Sequence, residues 1–287
     1  MNLEDVKKIV VVGAGQMGAG IAQVAAQSGF EVLLIDSWSD AIDRAFKTME
    51  KSLLKLKEKA LLQEEPAKVL ARVKAARSLA EVRNFAPQMV IEAVTENIEI
   101  KSKIFQELDT LLPPDVVFCS NTSSISITKL AASTRRAERF MGMHFMNPVP
   151  LMKLVELIEG LGTSVETAKL VRAVAEKMSK TCVISKDRAG FIINRILMPM
   201  INESFYVLQE GIGTAEDIDT GMKLGTNQPM GPLVLADFIG LDTCLSIMEV
   251  LHKYLGDDKY RPAPLLRQYV EAGWLGRKSG RGVYTYC

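Results

Sequence analysis

A chain of 287 residues exceeds one average domain, and a composition 48% hydrophobic and 24% charged is that of a packed globular protein, so two domains are expected. A formal net charge of +1, with no basic stretch interleaved with aromatics, argues against a nucleic-acid partner. No apolar run reaches membrane-spanning length, and Met1 to Lys8 lacks the apolar core of a signal peptide. The cysteines, Cys119, Cys182, Cys244 and Cys287, form no CxxC pair, which predicts reduced thiols in a cytoplasmic protein. With His144 and His252 the only histidines, no metal site is expected.

The first informative segment is Ile9-Val10-Val11-Val12 running into Gly13-Ala14-Gly15-Gln16-Met17-Gly18. An apolar helical pattern follows, then Val32-Leu33-Leu34-Ile35, which ends in Asp36. Strand, glycine turn, helix, strand and acid in that order make a dinucleotide-binding unit. Gly13 permits the tight turn, Gly15 leaves room for the pyrophosphate, and Gly18 lets the helix lie close to the sheet. The phosphates would sit against N–H groups at the helix start. A carboxylate at Asp36 accepts hydrogen bonds from the adenosine ribose and repels a 2′-phosphate, so NAD is favoured over NADP. Gly20 reads either as close packing or as simple tolerance.

Next comes a long charged helical region, about Ala41 to Ala76, rich in lysine and broken near Pro66. Short apolar runs then predict strands at Met89 to Val94, Val116 to Ser120, Phe140 to Met143, Leu154 to Ile158 and Thr181 to Ile184. Alternation of such runs with amphipathic stretches implies a mostly parallel sheet covered on both faces. After Asp187 helical periodicity dominates, with helices expected at Phe191 to Glu210, Ala215 to Leu224, Leu233 to Tyr254 and Ala263 to Ala272. The predicted fold class is therefore α/β, a Rossmann-type domain over residues 1–187 followed by an all-helical domain over 188–287. The Met-rich stretch from Ile196 to Ile201 reads either as a dimer seam or as core. The glycine-rich tail from Trp274 to Tyr286 reads as a closing turn without assignable chemistry.

Polar residues gather where buried strands should end. Ser120-Asn121-Thr122-Ser123-Ser124 follows one strand and is placed at the cofactor edge of an open α/β sheet, although a surface turn has the same composition. Glu96 and Asn97, with Lys101 soon after, follow another. They either line the mouth of the cofactor cleft or cap a helix. His144 ends an apolar run, and Glu156 is embedded in Leu154-Val155-Glu156-Leu157-Ile158, where a carboxylate is costly unless paired. On consecutive strands the two would meet. A carboxylate beside an imidazole fixes which ring nitrogen carries the proton, and a histidine so held can exchange a proton with a hydroxyl or ketone while hydride moves to or from a nicotinamide. A satisfied core histidine and a solvent-facing glutamate are the bland alternative. Ser123 or Asn194 could hold the reacting oxygen in line.

Taken together, VVGAGQMGAGIAQVAAQSG, IEAVTEN, SNTSSISIT, MHFMNPVPLMKLVE, KDRAGFIINR, EDIDTGMKLGTNQPMGPLVLAD and GLDT resemble the short-chain L-3-hydroxyacyl-CoA dehydrogenase family over nearly the whole chain, and its bacterial 3-hydroxybutyryl-CoA branch most of all. The resemblance implies reversible NAD(H)-dependent interconversion of (S)-3-hydroxybutyryl-CoA and acetoacetyl-CoA. It places the acid–base role on His144, its orientation on Glu156, and catalytic as well as substrate-binding roles on Ser123, which would help orient the reacting oxygen, and on Asn194. Cofactor contacts fall on Gly13, Gly15, Gln16, Met17, Gly18, Asp36, Glu96, Lys101 and Asn121. Lys51 or Lys55 would meet the CoA phosphate, and the helical domain would form a homodimer. Two rival readings are a dehydrogenase of a free hydroxy or sugar acid in the same superfamily, and a non-catalytic NAD(H)-binding redox sensor.

Overall fold

The computed structural model describes residues 1–286, and the chain divides into two compact units, Met1–Arg188 and a second beginning at Ala189. The first unit is built on one eight-stranded sheet. Its strands are β1 (Lys8–Val12), β2 (Glu31–Ile35), β3 (Val73–Ala76), β4 (Met89–Glu92), β5 (Val117–Ser120), β6 (Phe140–Phe145), β7 (Leu154–Glu159) and β8 (Thr181–Lys186), in the spatial order β3-β2-β1-β4-β5-β6-β7-β8. Every neighbouring pair is parallel except β6 and β7. Strands covered on both faces need apolar residues at consecutive positions, which is why β1 and β2 read as unbroken runs rather than as alternations.

The helices of this unit follow from their buried stripes and caps. Gln16–Gln27 is buried from Gly18 to Ala26 against the sheet. Ser39–Glu58 buries Ile42, Ala45, Met49, Leu53 and Leu56, a three-and-four spacing that leaves its charged face to solvent. Ile98–Leu111 begins where the Asn97 side chain accepts from the Ile100 amide, and Val165–Lys177 where Ser164 accepts from Thr167. Each such cap contributes about 1 kcal/mol.

Two sequence expectations are corrected. The region from Ala41 to Ala76 is not helical to its end. After the first helix Pro66 opens a short one, Pro66–Leu70, and Val73–Ala76 is strand β3 at the sheet edge. Lysine and alanine favour helix locally, but the unpaired edge of β2 offers Val73 to Ala76 a row of backbone partners, and that pairing wins. The expected helix from Leu233 to Tyr254 is two, Pro232–Ile239 and Leu241–Leu255, because Gly240 takes φ +103° and breaks the ladder.

The second unit packs its helices, the longest Ile193–Gln209, around Met198, Ile201, Phe205, Leu233, Leu241 and Leu251. The Met-rich stretch thus divides: Met198 and Ile201 are core, whereas Ile196 is 69% exposed. The glycine-rich tail is held by two buried aspartates. Asp237 accepts from the Val283 and Tyr284 amides and the Tyr286 hydroxyl, each at 2.9 Å, and Asp219 accepts from the Tyr284 hydroxyl at 2.8 Å. Gly276 and Gly282 lie so close to Asp237 that a side chain on either would overlap it. No described helix is long and apolar enough to cross a membrane.

Candidate active site

Because β1, β2, β4, β5 and β6 run parallel, the segments that follow them emerge at one edge of the sheet. That edge is where open α/β sheets bind ligands. After β1, Gly13 turns at φ +103° and Gly15 begins the Gln16–Gln27 helix with no side chain capping its first amides. A Cβ at Gly18 would overlap the Gly13 carbonyl oxygen, whereas one at Gly15 would meet no protein atom within 4 Å. Gly18 is therefore required by packing, whereas the space before Gly15 is open. Uncapped helix amides facing an open cradle suit a pyrophosphate. Asp36 completes the turn: its carboxylate accepts from the Ala14 amide at 2.8 Å and the Trp38 amide at 3.0 Å, and it lines a cavity of about 190 Å³. Gly20 is explained by close packing, since a Cβ there would lie 2.8 Å from that of Val149.

His144 and Glu156 stand directly opposite each other in the antiparallel β6–β7 register. Directly paired side chains share a face of the sheet, and here His144 Nδ1 and a Glu156 carboxylate oxygen are 2.8 Å apart. The glutamate is fully buried and the histidine 8% exposed. A carboxylate accepts only, so Nδ1 carries the proton of this bond. Beside them Asn121 accepts from the Phe145 amide at 2.8 Å, which ties the end of β5 to the end of β6, and Gln16 donates to Asn147 at 3.0 Å, which ties the β6 loop to the glycine turn.

Between these two halves lies a charged cluster. Lys101, 1% exposed, sets its ammonium 2.6 Å from Glu92, 3.3 Å from Glu96 and 3.2 Å from the Val94 carbonyl. Glu92, fully buried at the end of β4, also accepts from Ser120 Oγ at 2.6 Å and from the Val94 amide at 2.6 Å. Burial pushes the Glu92 carboxyl up against the pull of Lys101 and those hydrogen bonds. Glu96 gathers the turn after β5, accepting from Thr122 Oγ1 at 2.5 Å, the Ser123 amide at 2.9 Å and the Ser124 amide at 3.1 Å. Burial works to raise its carboxyl too, but Lys101 and the turn's donors outweigh it and hold it below the usual range. Asn97, meanwhile, caps the following helix.

The sheet edge thus brings together Gly13, Gly15, Gln16, Met17, Gly18, Asp36, Glu96, Asn121, Ser123, His144 and Glu156 in the first unit. Lys101 sits behind them, enclosed by carboxylates and a carbonyl rather than open to solvent. Lys51 and Lys55 lie one turn apart on the exposed face of Ser39–Glu58. Asn194, in the second unit, is buried in the first turn of Ile193–Gln209. Sequence reasoning overlooked Glu92, although its signal matches that of Glu156: an acid inside an apolar strand, Met89-Val90-Ile91-Glu92. Among the described residues no group of histidines, cysteines and acids is arranged to hold a metal ion.

A pyrophosphate cradle beside an imidazole of fixed tautomer suits hydride exchange coupled to proton transfer, which defines the class as nicotinamide-dependent dehydrogenases. Residues 8–188 match the NAD binding domain, and residues 190–286 the C-terminal domain, of 3-hydroxyacyl-CoA dehydrogenase. The chain belongs to the 3-hydroxyacyl-CoA dehydrogenase family. It is 55% identical over 283 residues to a Bacillus subtilis protein named "Probable 3-hydroxybutyryl-CoA dehydrogenase", covering 98% of both chains. It is 53% identical to the 3-hydroxybutyryl-CoA dehydrogenase of Bradyrhizobium diazoefficiens, covering 98% of this chain and 96% of that one. The crystal structure of (S)-3-hydroxybutyryl-CoA dehydrogenase from Ralstonia eutropha superposes with a TM-score of 0.94 at 51% identity, over 99% of this chain and all of that one.

Proposed function

We propose that the chain interconverts (S)-3-hydroxybutyryl-CoA and acetoacetyl-CoA with NAD(H), using His144 as general acid and base. The observation that carries this reading is the 2.8 Å bond between His144 Nδ1 and buried Glu156 at the sheet edge that also bears the glycine cradle. Relatives at 51% to 55% identity named for that activity support the substrate class.

The nicotinamide, when bound, takes up or returns the hydride. The protein's part is to manage the proton and the oxygen. In oxidation His144 Nε2 takes the hydroxyl proton from the β-carbon's oxygen, while Glu156 keeps the Nδ1 proton in place and offsets the positive charge the ring gains. In reduction the same ring returns the proton to the β-oxygen. Ser123, whose turn is fixed by Glu96, orients that oxygen, and on the second unit we assign Asn194 to substrate binding.

Gly13, Gly15, Gln16, Met17 and Gly18 form the pyrophosphate cradle, Asp36 reads the adenosine ribose, and Glu96, Lys101 and Asn121 serve the nicotinamide side. Lys51 and Lys55 offer an exposed pair of cations to the CoA phosphate. We assign residues 1–187 as the cofactor domain and 188–287 as the substrate and dimerisation domain. Exposed apolar side chains on that second unit, Ile196 at 69% and Leu224 at 76%, support a homodimer seam. We assign a cytoplasmic setting, with Cys119, Cys182 and Cys244 as free thiols; Cys287 lies outside the described residues.

Steady-state NADH oxidation with acetoacetyl-CoA tests the proposal against free acetoacetate as control. Turnover confined to the thioester is expected. Equal turnover of the free acid would overturn the substrate assignment.

A further inference from the structure

The 190 Å³ cavity at the end of β2 has an apolar side made by Leu79, Val94 and Ile104 and a polar side made by Asp36, Ser37 and Arg77. Its place beside the glycine turn marks it as the adenosine end of the NAD site, and the inference rests on that reading. Arg77 is the unassigned member. β2 and β3 are parallel with Ile35 opposite Ala76, and the Asp36 amide donates to the Ala76 carbonyl at 3.2 Å. Asp36 and Arg77 are therefore the next residues out of two adjacent strands, which lie about 4.8 Å apart. Both residues also line the cavity, which therefore carries one acid and one base where the ribose hydroxyls would come.

The two are not spent on each other. Asp36 is committed to the Ala14 and Trp38 amides, which fix its carboxylate at the strand end. Arg77 is exposed and forms no ion pair with another described residue. Glu81 is the nearby acid, and it accepts from the Arg77 backbone amide at 3.2 Å. A phosphate on the ribose 2′-oxygen would thus meet a repelling carboxylate and an attracting guanidinium in the same cavity, and Coulomb terms of opposite sign offset each other. For the unphosphorylated ribose only the carboxylate matters, as acceptor of the hydroxyls.

We propose that Arg77 is a latent 2′-phosphate site, silenced by Asp36, so that neutralising this one carboxylate opens the cavity to NADP(H). Arginine is suited to the task because its planar fork pairs with phosphate oxygens two at a time.

Calorimetric titration with 5′-AMP and with 2′,5′-ADP tests this without turnover, in the wild type, Asp36→Asn, Asp36→Ser and Asp36→Asn/Arg77→Ala. The readout is the affinity for 2′,5′-ADP relative to 5′-AMP. In both neutral variants the ratio is expected to rise about tenfold or more, and addition of Arg77→Ala to take most of the gain away. The gain should also shrink between low and high salt. A gain as large without Arg77, or no gain in either variant that still binds 5′-AMP, overturns the proposal. A wild type that binds neither 5′-AMP nor NADH overturns the cofactor reading itself.

Discussion

Glu92 and Lys101 form an ion pair at 2.6 Å in which neither side chain is more than 1% exposed. Breaking such a pair from one side leaves a buried charge uncompensated, which costs about 3–5 kcal/mol. Because Lys101 also meets Glu96, and Glu96 holds the Thr122–Ser124 turn, the pair links the end of β4 to the segment carrying Ser123.

Lys101→Met is expected to lower the melting temperature by roughly 10 °C, the size a loss of about 3–5 kcal/mol produces in a chain of this length. Glu92→Gln/Lys101→Met should recover most of that loss by removing both charges together. Thermal denaturation of the two variants decides the point, and a double variant no more stable than Lys101→Met would reject the pairing as the cause.

His144→Gln should cut kcat by about 10²–10⁴-fold, the usual worth of a positioned acid–base group, while NADH binding followed by fluorescence stays close to wild type. Glu156→Gln should cost less, about 10²-fold, since the ring remains but its tautomer is no longer dictated by a carboxylate. Turnover retained in His144→Gln would remove the imidazole from the mechanism.

The glycine cradle separates packing from ligand contact. Gly18→Ala must displace the Gly13 carbonyl, so it should destabilise the fold by about 1–3 kcal/mol. Gly15→Ala meets no protein atom within 4 Å and should melt within a degree or two of wild type, yet bind NADH at least about tenfold more weakly. Undiminished NADH affinity in Gly15→Ala would mean that the pyrophosphate does not approach the backbone there.

Acid stability should depend on Asp109. This buried carboxylate receives Arg136 Nε at 2.6 Å and Arg135 Nε at 2.9 Å. Burial raises its carboxyl, but the hydrogen bonds from Arg135 and Arg136 prevail and hold it below its ordinary 3.8. A carboxyl lowered by folding stabilises the protein above the unfolded value and loses that contribution as pH falls through the folded one. Urea midpoints measured from pH 6 to pH 2 should therefore fall less steeply below about pH 4 in Asp109→Asn than in wild type. The variant should also be less stable at pH 7, and parallel profiles would show that the pairing carries no linkage.

The nucleotide unit was legible because its signals are local. An unbroken apolar run means a strand covered on both faces, and three glycines at fixed offsets answer separate steric demands, so Val12 to Gly18 and Asp36 could be read from the linear order alone. The meeting of His144 with Glu156 was also accessible, since a carboxylate inside an apolar strand demands a partner and the next strand supplied a histidine.

Other features depended on contacts between distant segments. Val73 to Ala76 became a strand only because β2 had an open edge, and Gly240 split a helix that its neighbours' periodicity would have continued. Lys101 looks like any helical lysine until Glu92, Glu96 and the Val94 carbonyl close around it. Arg77 acquires meaning only from the register that sets it beside Asp36. Sequence by itself determined which chemistry the chain holds, because backbone preference and burial act over a few residues. Which charges stand next to which was decided by tertiary structure, because Coulomb and hydrogen-bond energies depend on distances through space that sequence separation does not encode.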